Sequence, residues 1–232
     1  VKKCLMIIVL SILAVGCSNT NDQTVINQKI IPQKLTVISE SQDKLVSVLA
    51  DTNIEGDLLD GITLKIRDQE RKFQWKTVSN PTYYPIVLSE NIDNDPDNEV
   101  VVILTTGYGT GMRQSQVHIL KQDFTELSVD DPLQGIKRYI KTSHVKEDGK
   151  QIYSLALNNR DFKKEFAESE AGQWFDDIVF GNIIGYRVQD KHLIAELPAQ
   201  VSPGLFLGTV EAEYQVKDQE LIIGSVTFSE EN

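Results

Sequence analysis

Residues Ser89–Leu104 read SENIDNDPDNEVVVIL, so that Glu90, Asp93, Asp95, Asp97 and Glu99 crowd against the five aliphatic residues 100–104. Carboxylates and amides at alternate positions aim their oxygens into one hollow, which is the donor arrangement of an oxygen-ligand Ca²⁺ loop. Counting from Asn91 supplies the side chains of Asn91, Asp93 and Asp95, the main-chain carbonyl of Asp97, and Glu99 at the ninth position. The sixth position, where a glycine with positive φ is usual, holds Pro96, whose ring fixes φ near −65°. Counting from Asp93 instead puts Asn98 there but leaves Val101 and Leu104 where acids are wanted. The first register is preferred, and Asp93 and Asp95 are ligands in both. The competing reading is a solvated polar turn, kept mobile by carboxylate repulsion unless a cation or an outside lysine neutralises it.

Other constellations are weaker. Thr105–Gly111, TTGYGTG, lacks the Gly-Lys-Ser/Thr ending of a phosphate loop and is expected to form a wide hairpin between 100–105 and 117–120. On it, Tyr108 and Arg113 pair an aromatic face with a fixed charge and are the candidate ligand contacts. His118, His144 and His192 show no metal spacing, and no serine sits in a Gly-x-Ser-x-Gly elbow. Two carboxylate pairs, Asp176 with Asp177 and Glu211 with Glu213, could in principle run glycoside chemistry. The first follows Trp174-Phe175 and the second lies on the expected wet face of a sheet, so no catalytic residue is assigned.

The N-terminus, VKKCLMIIVLSILAVG, has two lysines ahead of a short apolar run that ends in small residues, the layout of a secretory signal. Leu13-Ala14-Val15-Gly16-Cys17 resembles the bacterial lipobox, in which cleavage before the cysteine is followed by lipid attachment to its sulfur; Ala14 stands where leucine is more frequent. That resemblance implies a lipoprotein held by Cys17 on the extracytoplasmic face of the cell membrane. The acidic stretch is similar to the calcium loops of FG-GAP and VCBS-type segments, which feed an Asp-x-Asp-x-Asp run directly into a hydrophobic strand. The wider pattern NIDNDPDNEVVVILTTGYGTG with SQVHIL resembles an uncharacterised group of Gram-positive secreted lipoproteins that carries no known activity.

Removing residues 1–16 takes away Lys2 and Lys3 and moves the formal net charge from −11 to −13. Such a field disfavours nucleic acid and anionic lipid as partners. The two cysteines, Cys4 and Cys17, leave with the signal or carry lipid, so the body has neither a disulfide nor a thiolate metal site. Residues 17–34, rich in Asn, Gln, Thr and Ser, read as a tether. Residues 35–232 are then left for one extracytoplasmic domain.

Short apolar or alternating runs dominate that domain, at 62–66, 85–88, 100–105, 117–120, 152–157, 183–188, 193–197, 205–216 and 221–228. They predict a mainly β (α+β) fold with an antiparallel meander and one or two short helices. Helical spacing is faintly present at 43–51 (Leu45, Val48, Leu49) and 161–171 (Phe162, Phe166). In the C-terminal meander Phe206, Val210, Ala212, Tyr214 and Val216 are expected on the dry face, with Leu207, Thr209, Glu211, Glu213 and Gln215 on the wet one. The unbroken run 100–104 predicts a strand covered on both sides, and 198–204 a rigid surface connection. The functional expectation is a non-catalytic envelope protein that binds a ligand or partner and is stabilised by Ca²⁺. The alternatives are a small cell-wall or carbohydrate hydrolase and a structural spacer.

Overall fold

The computed structural model describes residues 34–93 and 95–231, most of them in strands; Cys17 and the expected signal and tether lie outside the described residues except for Lys34. In chain order the strands are β1 (Leu35–Glu40), β2 (Val46–Asp51), β3 (Leu58–Asp60), β4 (Thr63–Ile66), β5 (Gln69–Lys72), β6 (Lys76–Val78), β7 (Ile86–Glu90), β8 (Glu99–Gly109) and β9 (Met112–Leu120). They continue as β10 (Glu126–Val129), β11 (Ile140–Glu147), β12 (Lys150–Leu157), β13 (Arg160–Ala167), β14 (Gly185–Gln189), β15 (His192–Ser202), β16 (Leu205–Lys217) and β17 (Glu220–Glu230). Among the described residues the helical content is α1 (Pro132–Ile136) and two 3-10 turns, Pro81–Tyr83 and Glu168–Glu170. The fold is mainly β with short helices, as the alternation requires.

An eight-stranded sheet in the order β14-β15-β16-β17-β10-β9-β8-β7 forms the middle layer. Val100, Val102 and Leu104 pack on one side of it with Val46, Val48 and Leu64 of the β1-β2-β4-β5 sheet. Val101 and Ile103 pack on the other side in a cluster that includes Leu155 and Phe166 of the β11-β12-β13 sheet. Every residue from Val100 to Leu104 is at most 5% exposed, the burial expected of a strand that divides two cores. Short β10 joins the halves of the sheet, antiparallel to β9 and parallel to β17. The chain entering β14 also returns to β9: Arg113 donates its N–H to the Asn182 carbonyl (2.9 Å) and accepts from the Ile184 N–H (2.8 Å). β9 is thereby fastened at its start to the chain entering β14 and, through β10 at its other end, to β17.

Two expected helices are strands. In 46–51, Val46, Ser47, Val48 and Ala50 are all buried, so Val48 and Leu49 belong to a covered strand and not to one face of a helix, and Leu45 precedes that strand, exposed. Phe162 and Phe166 are four apart, a spacing shared by both periods; the hairpin at Asn158-Asn159 settles it, because φ of +50° and +61° builds a type I′ turn that sends β13 back along β12. Asp190-Lys191 and Asp218-Gln219 make equivalent turns, also with two positive φ values each.

Residues 198–202, expected in a surface connection, continue β15, with Ala199, Gln200, Val201 and Ser202 buried. Pro198 is tolerated in the gap between Gly185 and Val179, the two points where a neighbour meets that side of β15. Leu207 is fully buried and not on the wet face. The register steps from Ala199↔Gly208 to Gln200↔Phe206, so Leu207 is the extra residue of a β-bulge and its side chain turns to the core. The hairpin after β8 is also tighter than expected. β8 and β9 pair up to Gly109↔Met112, and Thr110-Gly111 alone makes the turn. Gly111 is required there: φ is +67°, and a Cβ would stand 2.6 Å from the Pro203 carbonyl oxygen.

Candidate functional site

The acidic loop hangs between β7 and β8, whose ladder ends at Glu90↔Glu99. Each aspartate folds the loop on itself, as Asp and Asn do in Asx turns: Asp93 Oδ1 accepts the Asp95 N–H (3.1 Å) and Asp95 Oδ1 the Asp97 N–H (2.8 Å). Glu99 is fully buried, and its Oε2 accepts the N–H groups of Ile92 (2.8 Å) and Asp93 (3.3 Å). Asp93, Asp95 and Glu99 bring carboxylate oxygens within 4.8 Å of one another, a set with the chemistry to hold a metal ion. Asn91 instead donates its Nδ2 to the Asp95 carbonyl while its buried Oδ1 has no partner among the described residues; Asp97 is exposed and contributes its N–H.

The cation at this cluster is a side chain. Lys121 follows β9, and its Nζ donates to Asp95 Oδ2 at 2.7 Å, to Glu99 Oε1 at 3.0 Å and to Asp93 Oδ2. Burial pulls the ammonium pKa down, but hydrogen bonds to Asp93, Asp95 and Glu99 outweigh it and hold it above the ordinary lysine range. The same Lys121 bond, helped by the Asp97 N–H, holds the Asp95 carboxyl below its ordinary range. One positive charge from outside thus bridges three carboxylates and offsets part of their repulsion, which helps the loop stay ordered without an ion.

Tyr108 and Arg113, the expected ligand contacts, face each other across the β8–β9 hairpin. Tyr108 is 40% exposed; its ring lies 4.5 Å from that of Tyr83 and its hydroxyl accepts from Asn80 Nδ2 (3.2 Å). Asn80 also caps the 3-10 turn through the Thr82 N–H (3.1 Å), so one side chain fixes both rings. Behind them lies a cleft of about 150 Å³, reached by Tyr83, Tyr84, Thr105, Arg113, Ser115 and Tyr186. Five elements supply it: the 3-10 turn, Ile86 of β7, the paired β8 and β9 residues Thr105↔Ser115, and β14. Gly185 leaves room for two charged side chains, since a Cβ there would stand 3.1 Å from Arg113 Nη2 and 3.3 Å from Glu196 Oε2.

Hydrogen bonding divides the tyrosines of this cleft from the others. Of seven tyrosines, Tyr139, Tyr153 and Tyr214 donate to main-chain carbonyls of Ile223 (3.0 Å), Phe175 (2.5 Å) and Asp130 (2.8 Å). Within the described residues, the hydroxyls of Tyr83, Tyr84 and Tyr186 and the Arg113 guanidinium make no such bond. Burial, with Asp131 nearby, pushes the Tyr186 phenol up to about 12, so it is a neutral donor at physiological pH. The sequence marked Tyr108 and Arg113; the three cleft tyrosines carried no local signal, because only the tertiary fold gathers them.

Of the remaining candidates, Asp176 makes no side-chain bond among the described residues, and the others are engaged elsewhere. Asp177 accepts from Thr142 Oγ1 (2.9 Å) and the Ile178 N–H (2.7 Å). Glu211 and Glu213 are half-buried: Glu211 shares Arg187 with Glu196 (2.9 and 2.7 Å), and Glu213 lies 3.7 Å from His192. His118 stacks on Trp75 at 4.0 Å with Nδ1 2.6 Å from Glu126 Oε1, and His144 stacks on Tyr153 at 4.2 Å. Among the carboxyls with a displaced pKa, Asp43, Asp60, Asp95, Asp123 and Glu165, every one is held low by hydrogen bonds, the wrong direction for a general acid. The chain matches no protein-family model, no curated protein and no solved structure.

Proposed function

We propose that this is a lipid-anchored protein of the extracytoplasmic face of the cell membrane, joined to the lipid at Cys17, whose β-sheet body binds a small envelope ligand without transforming it. One observation carries the reading: three tyrosines and one arginine whose hydroxyls and guanidinium have no protein partner among the described residues line the same cleft, beside an exposed aromatic hairpin. Unpaired donors at a concave surface represent binding capacity that folding leaves unused. A spacer has no use for such a cleft. A hydrolase needs two free carboxyls converging on its substrate, and neither candidate pair offers two: Asp177 is tied to Thr142, Glu211 to Arg187, and Glu213 lies beside His192.

The acidic loop is, in this reading, a clamp that holds the head of β8 and not the ligand site. Ca²⁺ enters it by displacing Lys121, so its affinity in the parent protein is no better than the roughly 10⁻⁴ to 10⁻³ M of extracellular modules. The test is saturation-transfer NMR on the full-length protein in a sugar-free detergent, with neutral sugars, sugar acids, sugar phosphates and amino acids offered in turn. At least one class is expected to bind, to lose its signal with Arg113→Gln, and to be recovered unaltered. Silence across the set, or conversion of the bound class, would overturn the reading.

A further inference from the structure

The same cleft constrains the chemistry of its occupant. A cavity of about 150 Å³ accepts one six-membered ring. Its apolar surface comes from Ile103, from Ile86, which is 52% exposed, and from the tyrosine rings. An apolar ring would desolvate Arg113 and the hydroxyls of Thr105, Ser115 and Tyr186 while giving them nothing to bond. A neutral sugar would satisfy the hydroxyls but bring no counter-charge to the guanidinium, which makes no ion pair among the described residues although Glu196 Oε2 lies on the same side of Gly185. A polyanion would approach against a body of formal charge −13 once residues 1–16 are removed. One negative charge placed within reach of the guanidinium meets a short-range, charge-assisted hydrogen bond that the long-range field does not cancel.

Building on the ligand-binding reading above, we propose that the cleft takes a uronic acid: a hydroxylated six-membered ring with a single carboxylate. The carboxylate pairs with Arg113, ring hydroxyls exchange bonds with Tyr186, Thr105 and Ser115, and a C–H face of the ring lies against a tyrosine wall. In a polymer the residue recognised is a chain end, since the cleft has room for one ring.

The experiment titrates the full-length protein in a sugar-free detergent with D-glucuronate, D-glucose and benzoate, following saturation transfer to each. Glucuronate is expected to saturate in the millimolar range and to bind at least about tenfold more tightly than either control, the worth of one charge-assisted contact. Arg113→Gln should weaken glucuronate by roughly the same factor and leave glucose unchanged, and Tyr186→Phe should weaken both sugars. Arg113 is exposed, so its variant is expected to keep the parent unfolding temperature, measured alongside. Glucuronate binding no better than glucose or benzoate, or unchanged by Arg113→Gln, would overturn the proposal. If glucuronate fails while another class of ligand still responds to Arg113→Gln, the uronic acid is wrong and the ligand site stands. If no class responds, both fall.

Discussion

Lys121 Nζ lies 3.0 Å from Oε1 of Glu99, a carboxylate with no solvent exposure at all. The two are brought together by the β8–β9 register, in which Val100 faces Leu120 and the preceding Glu99 therefore faces Lys121. Without Lys121, Glu99 keeps two main-chain hydrogen bonds but has no counter-charge in a site where water cannot help.

Replacing Lys121 by Met is accordingly expected to destabilise the fold toward the lower end of the roughly 3–5 kcal/mol typical of an orphaned buried charge. Urea unfolding measures it. Adding Glu99→Gln to the Met variant should restore part of the loss, because the charge that lacked a partner is gone. A loss below about 0.5 kcal/mol, the scale of an ordinary surface substitution, would show that the cluster is solvated in practice.

The clamp also has a pH signature. The Asp95 carboxyl is held low in the folded protein, so its contribution is present above the unfolded value of about 3.9 and is lost as pH falls through the folded one. The stability of the parent should fall more steeply below about pH 4 than that of Lys121→Met, and the difference between the two curves isolates this contribution. Above about pH 10 stability should fall too, because burial raises the Tyr186 and Tyr214 phenols and the folded state resists their ionisation. Parallel acid limbs in parent and variant would separate Asp95 from Lys121.

Calcium should discriminate between a loop that is filled and one that is empty. With Lys121 in place, millimolar Ca²⁺ is expected to shift the unfolding temperature little. In Lys121→Ala the three carboxylates have no competitor, and the same Ca²⁺ should restore about 0.4–1.4 kcal/mol by linkage, with Mg²⁺ less effective. Asp93→Ala combined with Asp95→Ala removes the effect if the loop is its source. A calcium-insensitive Lys121→Ala would leave the loop as a polar turn that lysine alone neutralises.

Anchoring is tested at Cys17. Changing Cys17 to Ser should move the protein from the membrane to the soluble fraction of cells, and lipid on the first residue of the parent should appear by mass spectrometry. Membrane retention of the Ser variant would contradict the lipoprotein reading.

How much of this was legible in the sequence depends on the range of the signal. Alternation over 205–216 and the unbroken run 100–104 report local burial, and the structure places both strands where that burial demands. Leu207 and Phe162 were misread where a bulge or a two-residue turn decided between patterns that the spacing alone leaves equal. The acidic cluster shows the same limit. Asp93, Asp95 and Glu99 announce themselves within one loop, but their lysine partner depends on a bulge: past Thr106 the β8–β9 register shifts from Thr105↔Ser115 to Gly107↔Gln114. Extended from the turn without that bulge, the ladder sets Glu99 against Gln122. The cleft lay further out of reach, since Tyr83, Tyr186 and Arg113 meet only because the chain entering β14 returns to β9.

The central claim, a cleft that binds and does not transform, is tested most directly by fluorine NMR of full-length protein labelled with 3-fluorotyrosine. Its seven tyrosines divide into four at the site, Tyr83, Tyr84, Tyr108 and Tyr186, and three bonded within the fold, Tyr139, Tyr153 and Tyr214. Offered sugars, sugar acids, sugar phosphates and amino acids in turn, the protein is expected to respond to at least one class with saturable shifts confined to the first four, while the proton spectrum of that ligand stays unchanged after a day. Shifts in none of the four, or new resonances from a consumed ligand, would contradict it.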